Sequence, residues 1–116
     1  MDDMEIKQYL NKEKALERIR GNAKLFKTLL THFLATQSQF EQLQKEIAEN
    51  DREAASKSVH ALKGVAANLS MTALYDICTP FEALLKTDAD TAESLALFNA
   101  AYEKTVECVK STLSTL

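Results

Sequence analysis

The sequence predicts an all-α fold, and three observations carry that prediction. Turn-forming residues are scarce, with one Pro and two Gly in 116 residues, whereas a β-rich chain needs turn chemistry roughly every 8–12 residues. Ala, Leu, Glu, Lys and Gln, all good helix formers, dominate the composition. Apolar residues recur at spacings of three and four through several segments, which is the period of a helix with one buried face. The expected architecture is an antiparallel four-helix bundle with a short additional N-terminal helix. It is read as one domain over residues 1–116, with residues 1–10 as an N-terminal extension or the lead-in to the first helix.

Each element has its own signals. The first helix is expected from Asn11 to Arg20, closed by Gly21 in the left-handed C′ seat. Asn22 then caps a long second helix, Ala23 to Glu49. Its apolar stripe reads Leu25, Leu29, Phe33, Thr36, Phe40, Leu43 and Ile47. Leu30 and Leu34 lie off that stripe and are expected to pack beneath the first helix, the alternative being an exposed patch. His32, beside the stripe, is expected to be partly buried and structural. Asn50 with Glu53 has capping-box spacing and opens the third helix. That helix shows one core stripe, Ala55, Val59, Leu62, Ala66 and Leu69. Ser70 is read as the N-cap of a fourth helix running to about Lys86. Pro80 falls inside it, yet Thr79-Pro80-Phe81-Glu82 also has the form of a helix start, so the helix either kinks or restarts there. After the break at residues 87–90, Asp90 and Glu93 make another capping pair for a last helix, Thr91 to Ser114.

Several function classes are disfavoured by what the chain contains. Net charge is −3 and no basic block occurs, which argues against nucleic-acid binding. No apolar run approaches the ~18 residues of a membrane span, and no signal peptide is read at the charged start. Cys78 and Cys108, thirty positions apart, fit neither a disulfide framework nor a zinc pattern and are read as buried thiols of a reducing compartment. The expected location is the cytoplasm. Two glycines cannot build a phosphate-cradling loop of P-loop or dinucleotide type. No metal site is expected.

The third helix poses a question of cost. Gly64 sits in its interior, where glycine is about 1 kcal/mol worse than alanine. With the core stripe turned inward, His60 faces solvent and Gly64 stands one turn above it. Glu53, Ser56, Lys57, Lys63, Ala67 and Asn68 fill out the same exposed side. An exposed imidazole is largely neutral at neutral pH and offers a nitrogen lone pair as a nucleophile. Lys63, three residues on, could meet phosphate oxygens as a point charge. Gly64 removes a Cβ that would crowd a tetrahedral group and lets another backbone approach. The plainer reading is a surface histidine, a solvated lysine and a glycine that relieves packing.

At His60-Ala61-Leu62-Lys63-Gly64-Val65-Ala66-Ala67-Asn68 the chain resembles the histidine-containing phosphotransfer (HPt) domains of bacterial phosphorelays, whose pattern is His, any residue, Leu, Lys, Gly, then small residues. Ala15 to Phe33 resembles the family's opening segment, Glu49 to His60 its approach to the histidine, and Ala73 to Lys86 its following helix. Many members carry Gly where this chain has Ala67 and Ser70. The resemblance implies a helical bundle whose His60 takes a phosphoryl group from an aspartyl phosphate on a receiver domain and passes it to another receiver. Lys63 and Gly64 would support the phosphate, and Glu82 falls where some members hold a polar residue that hydrogen-bonds the imidazole. Ser56, Lys57, Ala67 and Asn68 would meet the partner.

On that resemblance the chain is a phosphate carrier and not an enzyme. Its partners would be response-regulator receivers and a hybrid sensor histidine kinase. It would need no cofactor of its own, since the receiver supplies Mg²⁺ and the catalytic carboxylates. It is expected to be a monomer and to lie in the cytoplasm, free or as the cytoplasmic part of a membrane-bound sensor kinase. The competing reading is a helical interaction module that binds receivers or kinases without carrying phosphate, and an intact nucleophile favours the carrier.

Overall fold

A computed structural model describes residues 2–116. Seven α-helices and no strand occur among the described residues: α1 (Asp3–Tyr9), α2 (Lys12–Arg18), α3 (Ala23–Leu34), α4 (Gln37–Ala48), α5 (Arg52–Asn68), α6 (Thr72–Leu85) and α7 (Ala92–Leu113). The all-helical expectation holds, with more segments than the sequence suggested. α5 packs most extensively on α6, α6 also meets α7, α4 meets α5, and α3 meets α7. The molecule is elongated, 43 × 25 × 21 Å, and α7 with its 22 residues spans about 33 Å of that length. One core runs through it, built from Phe26, Leu30, Phe33, Leu43, Val59, Leu62, Leu74, Phe81, Phe98 and Val109 among others. Residues 3–9, read above as an extension or a lead-in, form a helix of their own, capped by Asp2, which packs against α6 and α7.

The expected long second helix is two helices, and a tertiary contact explains the break. The hydroxyl of Thr36 donates to the Phe33 carbonyl at 2.6 Å, which also receives the Thr36 N–H at 2.9 Å. With its proton so engaged, Thr36 Oγ1 accepts from the buried Tyr102 hydroxyl of α7 at 2.8 Å. A side chain bonded back to the ladder competes with the helix. Ala35 and Thr36 nevertheless keep right-handed helical angles, so α4 continues roughly where α3 stops. The buried face of α3 also differs by one position from the stripe read above: Phe26, Leu30 and Phe33 are buried, while Leu25 is exposed. Leu30 therefore belongs to the main core, and His32 is exposed rather than partly buried.

Three helices close with the same device. In each, the C″ N–H bonds the C3 carbonyl and the C′ N–H bonds the C2 carbonyl, the double closure of a Schellman motif. Gly21 N bonds Leu16 O, Asp51 N bonds Glu46 O, and Met71 N bonds Ala66 O, at 2.8, 2.9 and 2.9 Å. The left-handed C′ seats belong to Arg20 (φ 56°), Asn50 (57°) and Ser70 (54°). Three cap readings shift accordingly. Gly21 stands one place past the C′ seat; Asn50 closes α4, while Asp51 caps α5 through Ala54 N; and Ser70 ends α5 instead of capping α6, whose N-cap is Met71. Asp90 accepts from Ala92 N, but the N-cap of α7 is Thr91.

α6 runs unbroken through Pro80. Thr79 donates its hydroxyl back to the Tyr75 carbonyl at 3.4 Å and caps nothing downstream. The bond lost at Pro80 is the one to Asp76, and both residues are exposed, so water can satisfy that carbonyl. At the far end, Arg52 of α5 donates to the carbonyls of Leu84, Leu85 and Ala89. The guanidinium thus caps α6 and fixes its end beside the start of α5.

Ser70 holds a conformation that suits glycine, and its carbonyl also accepts from Asn11 N at 3.2 Å. Ser70→Gly keeps both backbone bonds and removes the Cβ clash of the left-handed region. Chemical denaturation should show the variant more stable by about 0.5–1 kcal/mol, with an unchanged denaturant slope.

Candidate functional site

The core stripe of α5 falls as the sequence reading has it: Ala55, Val59, Leu62, Ala66 and Leu69 are all buried. Helical geometry then turns His60 outward, and its side chain is 69% exposed. Gly64, one turn on, is exposed too. A Cβ placed on Gly64 would meet no neighbouring atom within 4 Å. The glycine therefore relieves no crowding inside the molecule, and the space it opens lies outside, above the imidazole.

Beneath the ring lies Glu82 of α6, whose side chain is only 11% exposed. Its Oε1 is 2.9 Å from His60 Nδ1, and its Oε2 accepts from Lys63 Nζ at 3.1 Å. Lys86 Nζ approaches Oε1 at 3.7 Å from the open side. Burial pushes the Glu82 carboxyl up, but the hydrogen bond and charge of Lys63, then those of His60, outweigh it and hold the group below the usual carboxylate range. A carboxylate has only acceptor sites, so His60 Nδ1 carries the proton in this pair. In the neutral ring the lone pair is then on Nε2, directed away from Glu82.

Lys63 differs from its expected pose. It is 22% exposed rather than a solvated cation, and it rests 5.8 Å over the Tyr75 ring as well as on Glu82. Ser56, expected on the exposed side, is buried at 8% exposure. It lines an open groove of about 650 Å³ together with Arg52, Lys57, His60, Glu82 and Lys86. Lys57 is exposed and pairs with Glu53 one turn away at 3.6 Å. Asn68 is exposed and Ala67 half-buried, both on the Gly64 side of the ring. Lys86 and Tyr75 were not singled out from sequence. Tyr75 lies on α6 and Lys86 is its C-cap, at i−7 and i+4 from Glu82, so helical spacing places them along one face once Glu82 is known to face His60. Among the described residues no cluster of three or more His, Cys, Asp or Glu could hold a metal ion, and no helix is long and apolar enough to cross a membrane.

The sequence profile described as Hpt domain matches residues 28–112, which takes in α5, α6 and nearly all of α7. The chain belongs to the Hpt domain family. Histidine phosphotransfer in a phosphorelay is the function of such domains and of this chain. Among solved structures, this Hpt domain is similar to the HPT domain of the Hpt sensor hybrid histidine kinase from Shewanella, with 21% identity over 95% of this chain and 97% of that one and a TM-score of 0.85. That likeness establishes a shared fold over nearly the whole length. No curated protein matches significantly.

The depressed Glu82 gives this Hpt domain a pH signature. A carboxyl whose folded value lies below its unfolded value adds stability above the unfolded value, about 4.3 for Glu, and loses it as pH falls through the folded value. Glu82→Gln removes that titration. Wild type should therefore be the more stable protein at neutral pH, and its advantage should shrink as pH drops below the carboxylate range. Urea melts across that range check this, and a pH-independent difference would contradict it.

Proposed function

We propose that Nε2 of His60 is the phosphoacceptor. The supporting observation is the pairing of Nδ1 with Glu82 at 2.9 Å on a ring that is 69% exposed. Attack by the Nε2 lone pair on an aspartyl phosphate forms the N–P bond and breaks the P–O bond, and the electron pair leaves with the aspartate carboxylate. No proton has to move. The ring becomes positive as the bond forms, and the ionised Glu82 faces that charge through Nδ1–H. Lys63 and Gly64 act at the same place: the ammonium can turn from Glu82 toward phosphate oxygens, and the missing Cβ leaves a path for an in-line approach.

In this reading the chain is a carrier and supplies no catalyst of its own, needs no cofactor, and relies on Mg²⁺ and carboxylates held by the partner. The partners are response-regulator receivers and a hybrid sensor histidine kinase, met through Lys57, Ala67 and Asn68, with Ser56 lining the groove between. Residues 1–116 act as one cytoplasmic domain and as a monomer. The joined α3–α4 rod, α5, α6 and α7 are taken as the four antiparallel rods of the bundle, with α1 and α2 as additions at one end.

The test is transfer from a phosphorylated receiver. Acid-labile label should appear on the wild type and be absent from His60→Gln, whose circular dichroism should match the wild type. Undiminished labelling of that variant would remove His60 from the role. Gly64 separates chemistry from stability. Gly64→Ala should raise stability by about 1 kcal/mol, because nothing obstructs its Cβ. Gly64→Leu should remain folded yet transfer at least tenfold more slowly, and equal transfer rates would refute the landing space.

A further inference from the structure

Charge is spread unevenly over this molecule. The chain as a whole carries 14 basic and 17 acidic side chains, but the seam around His60 has the opposite balance. The groove on its N-terminal side is lined by Arg52, Lys57 and Lys86 against Glu53 and Glu82. A second groove, about 280 Å³, lies at the C-terminal end of α5, where Lys14 and Arg18 of α2 face Ala67 and Tyr75. With Lys63 between them, this strip holds six cations and two carboxylates, which leaves eight basic and fifteen acidic side chains elsewhere.

The two carboxylates are already matched, Glu82 by His60 and Lys63 and Glu53 by Lys57. Arg52 is committed to the carbonyls of Leu84 and Leu85 at the end of α6 and of Ala89 in the loop beyond it. Four cationic heads stay available. Lys14 and Arg18 have no ion-pair partner among the described residues. Lys86 is 65% exposed and reaches Glu82 only at 3.7 Å, and the Lys57–Glu53 pair at 3.6 Å is exposed on both sides, so a partner's carboxylates can take over either contact. Glu13, Glu17 and Asp51 belong to the same stretches of chain but line neither groove.

Resting on the relay reading above, we infer that this strip is an electrostatic docking surface for a protein partner with an acidic face, which Lys57 and Lys86 engage on one side of His60 and Lys14 and Arg18 on the other. Lys57 and Ala67, which mark the two grooves, stand ten residues apart on α5, about 15 Å along its axis. That separation suits a macromolecular face rather than a small anion. The excess of carboxylates over the rest of the surface disfavours an extended polyanion. Opposite charge on facing surfaces speeds encounter and orients the partner, and the effect weakens with salt.

The experiment is a binding titration with fluorescently labelled, unphosphorylated receiver domains, one with an acidic and one with a neutral face around its phosphoacceptor aspartate, at 50 and 300 mM NaCl. Wild type should bind the acidic receiver at least tenfold more tightly at the lower salt and should show little salt dependence with the neutral one. The double variants Lys14→Glu/Arg18→Glu and Lys57→Glu/Lys86→Glu should each weaken low-salt binding of the acidic receiver at least tenfold. All four positions are exposed, and circular dichroism verifies the fold. Equal affinity for both receivers, double variants that match wild type, or tighter binding of a single-stranded oligonucleotide would overturn the inference. Phosphate plays no part in this titration. Charge-dependent binding without labelling of the wild type would sink the relay and leave the docking surface standing; labelling with charge-blind binding would do the reverse.

Discussion

The carboxylate of Glu82 is the constraint around which the seam is arranged. Placing a charge in a largely buried position costs several kcal/mol unless it is paired. Here α5 supplies both partners from successive positions on one face, His60 and Lys63. The arrangement works only if α6 holds one register against α5. That register has supports at both ends. Arg52 clasps the end of α6, and the Schellman closure at Ala66–Met71 sets the turn that leads into it. Between them, Val59, Leu62, Leu74, Cys78 and Phe81 fill the core. Buried packing, helix closure and ion pairing thus agree on a single placement of α6, which is the consistency expected of a chain that specifies one structure.

The same carboxylate links structure to chemistry. It orients the imidazole by taking Nδ1–H, and it keeps Lys63 close to the ring without letting it stray into solvent. In the role proposed for His60, a rigid helix gives the nucleophile a fixed direction. A partner would then bring the reacting group to a prepared position, with little ordering left to be done at the moment of transfer. Neither histidine chemistry nor helix packing alone would produce this. It follows from His60 sitting between two core positions, Val59 and Leu62, with a small residue one turn above.

What could be read from the sequence divides along physical lines. The face of α5 was legible because its core stripe, Ala55, Val59, Leu62, Ala66 and Leu69, is apolar throughout and every turn repeats the pattern. Apart from α1, which was not read as a helix, helix ends were legible to within two residues, and three of the misses share a cause: Arg20, Asn50 and Ser70 take left-handed seats that local rules give to glycine or treat as caps. The break between α3 and α4 was not legible, because Tyr102 lies 66 positions from Thr36. Glu82 looked like a helix-start residue beside Pro80, and only the family resemblance hinted at His60, 22 positions away. The burial of Ser56 and the partly sheltered pose of Lys63 depend on where α6 lies, and periodicity within α5 carries no such information.

Both thiols are buried. Burial lifts Cys78 to about 12, and the nearby Lys63 only partly offsets that rise. Cys108 is also raised, first by burial and then by Glu107. A thiol in that state has almost no thiolate to offer an alkylating reagent. The sulfurs therefore serve as silent reporters: they become reactive when the helices part, and the pace at which Cys78, beside Lys63 and Glu82, is modified reads how often the bundle breathes open beneath the imidazole.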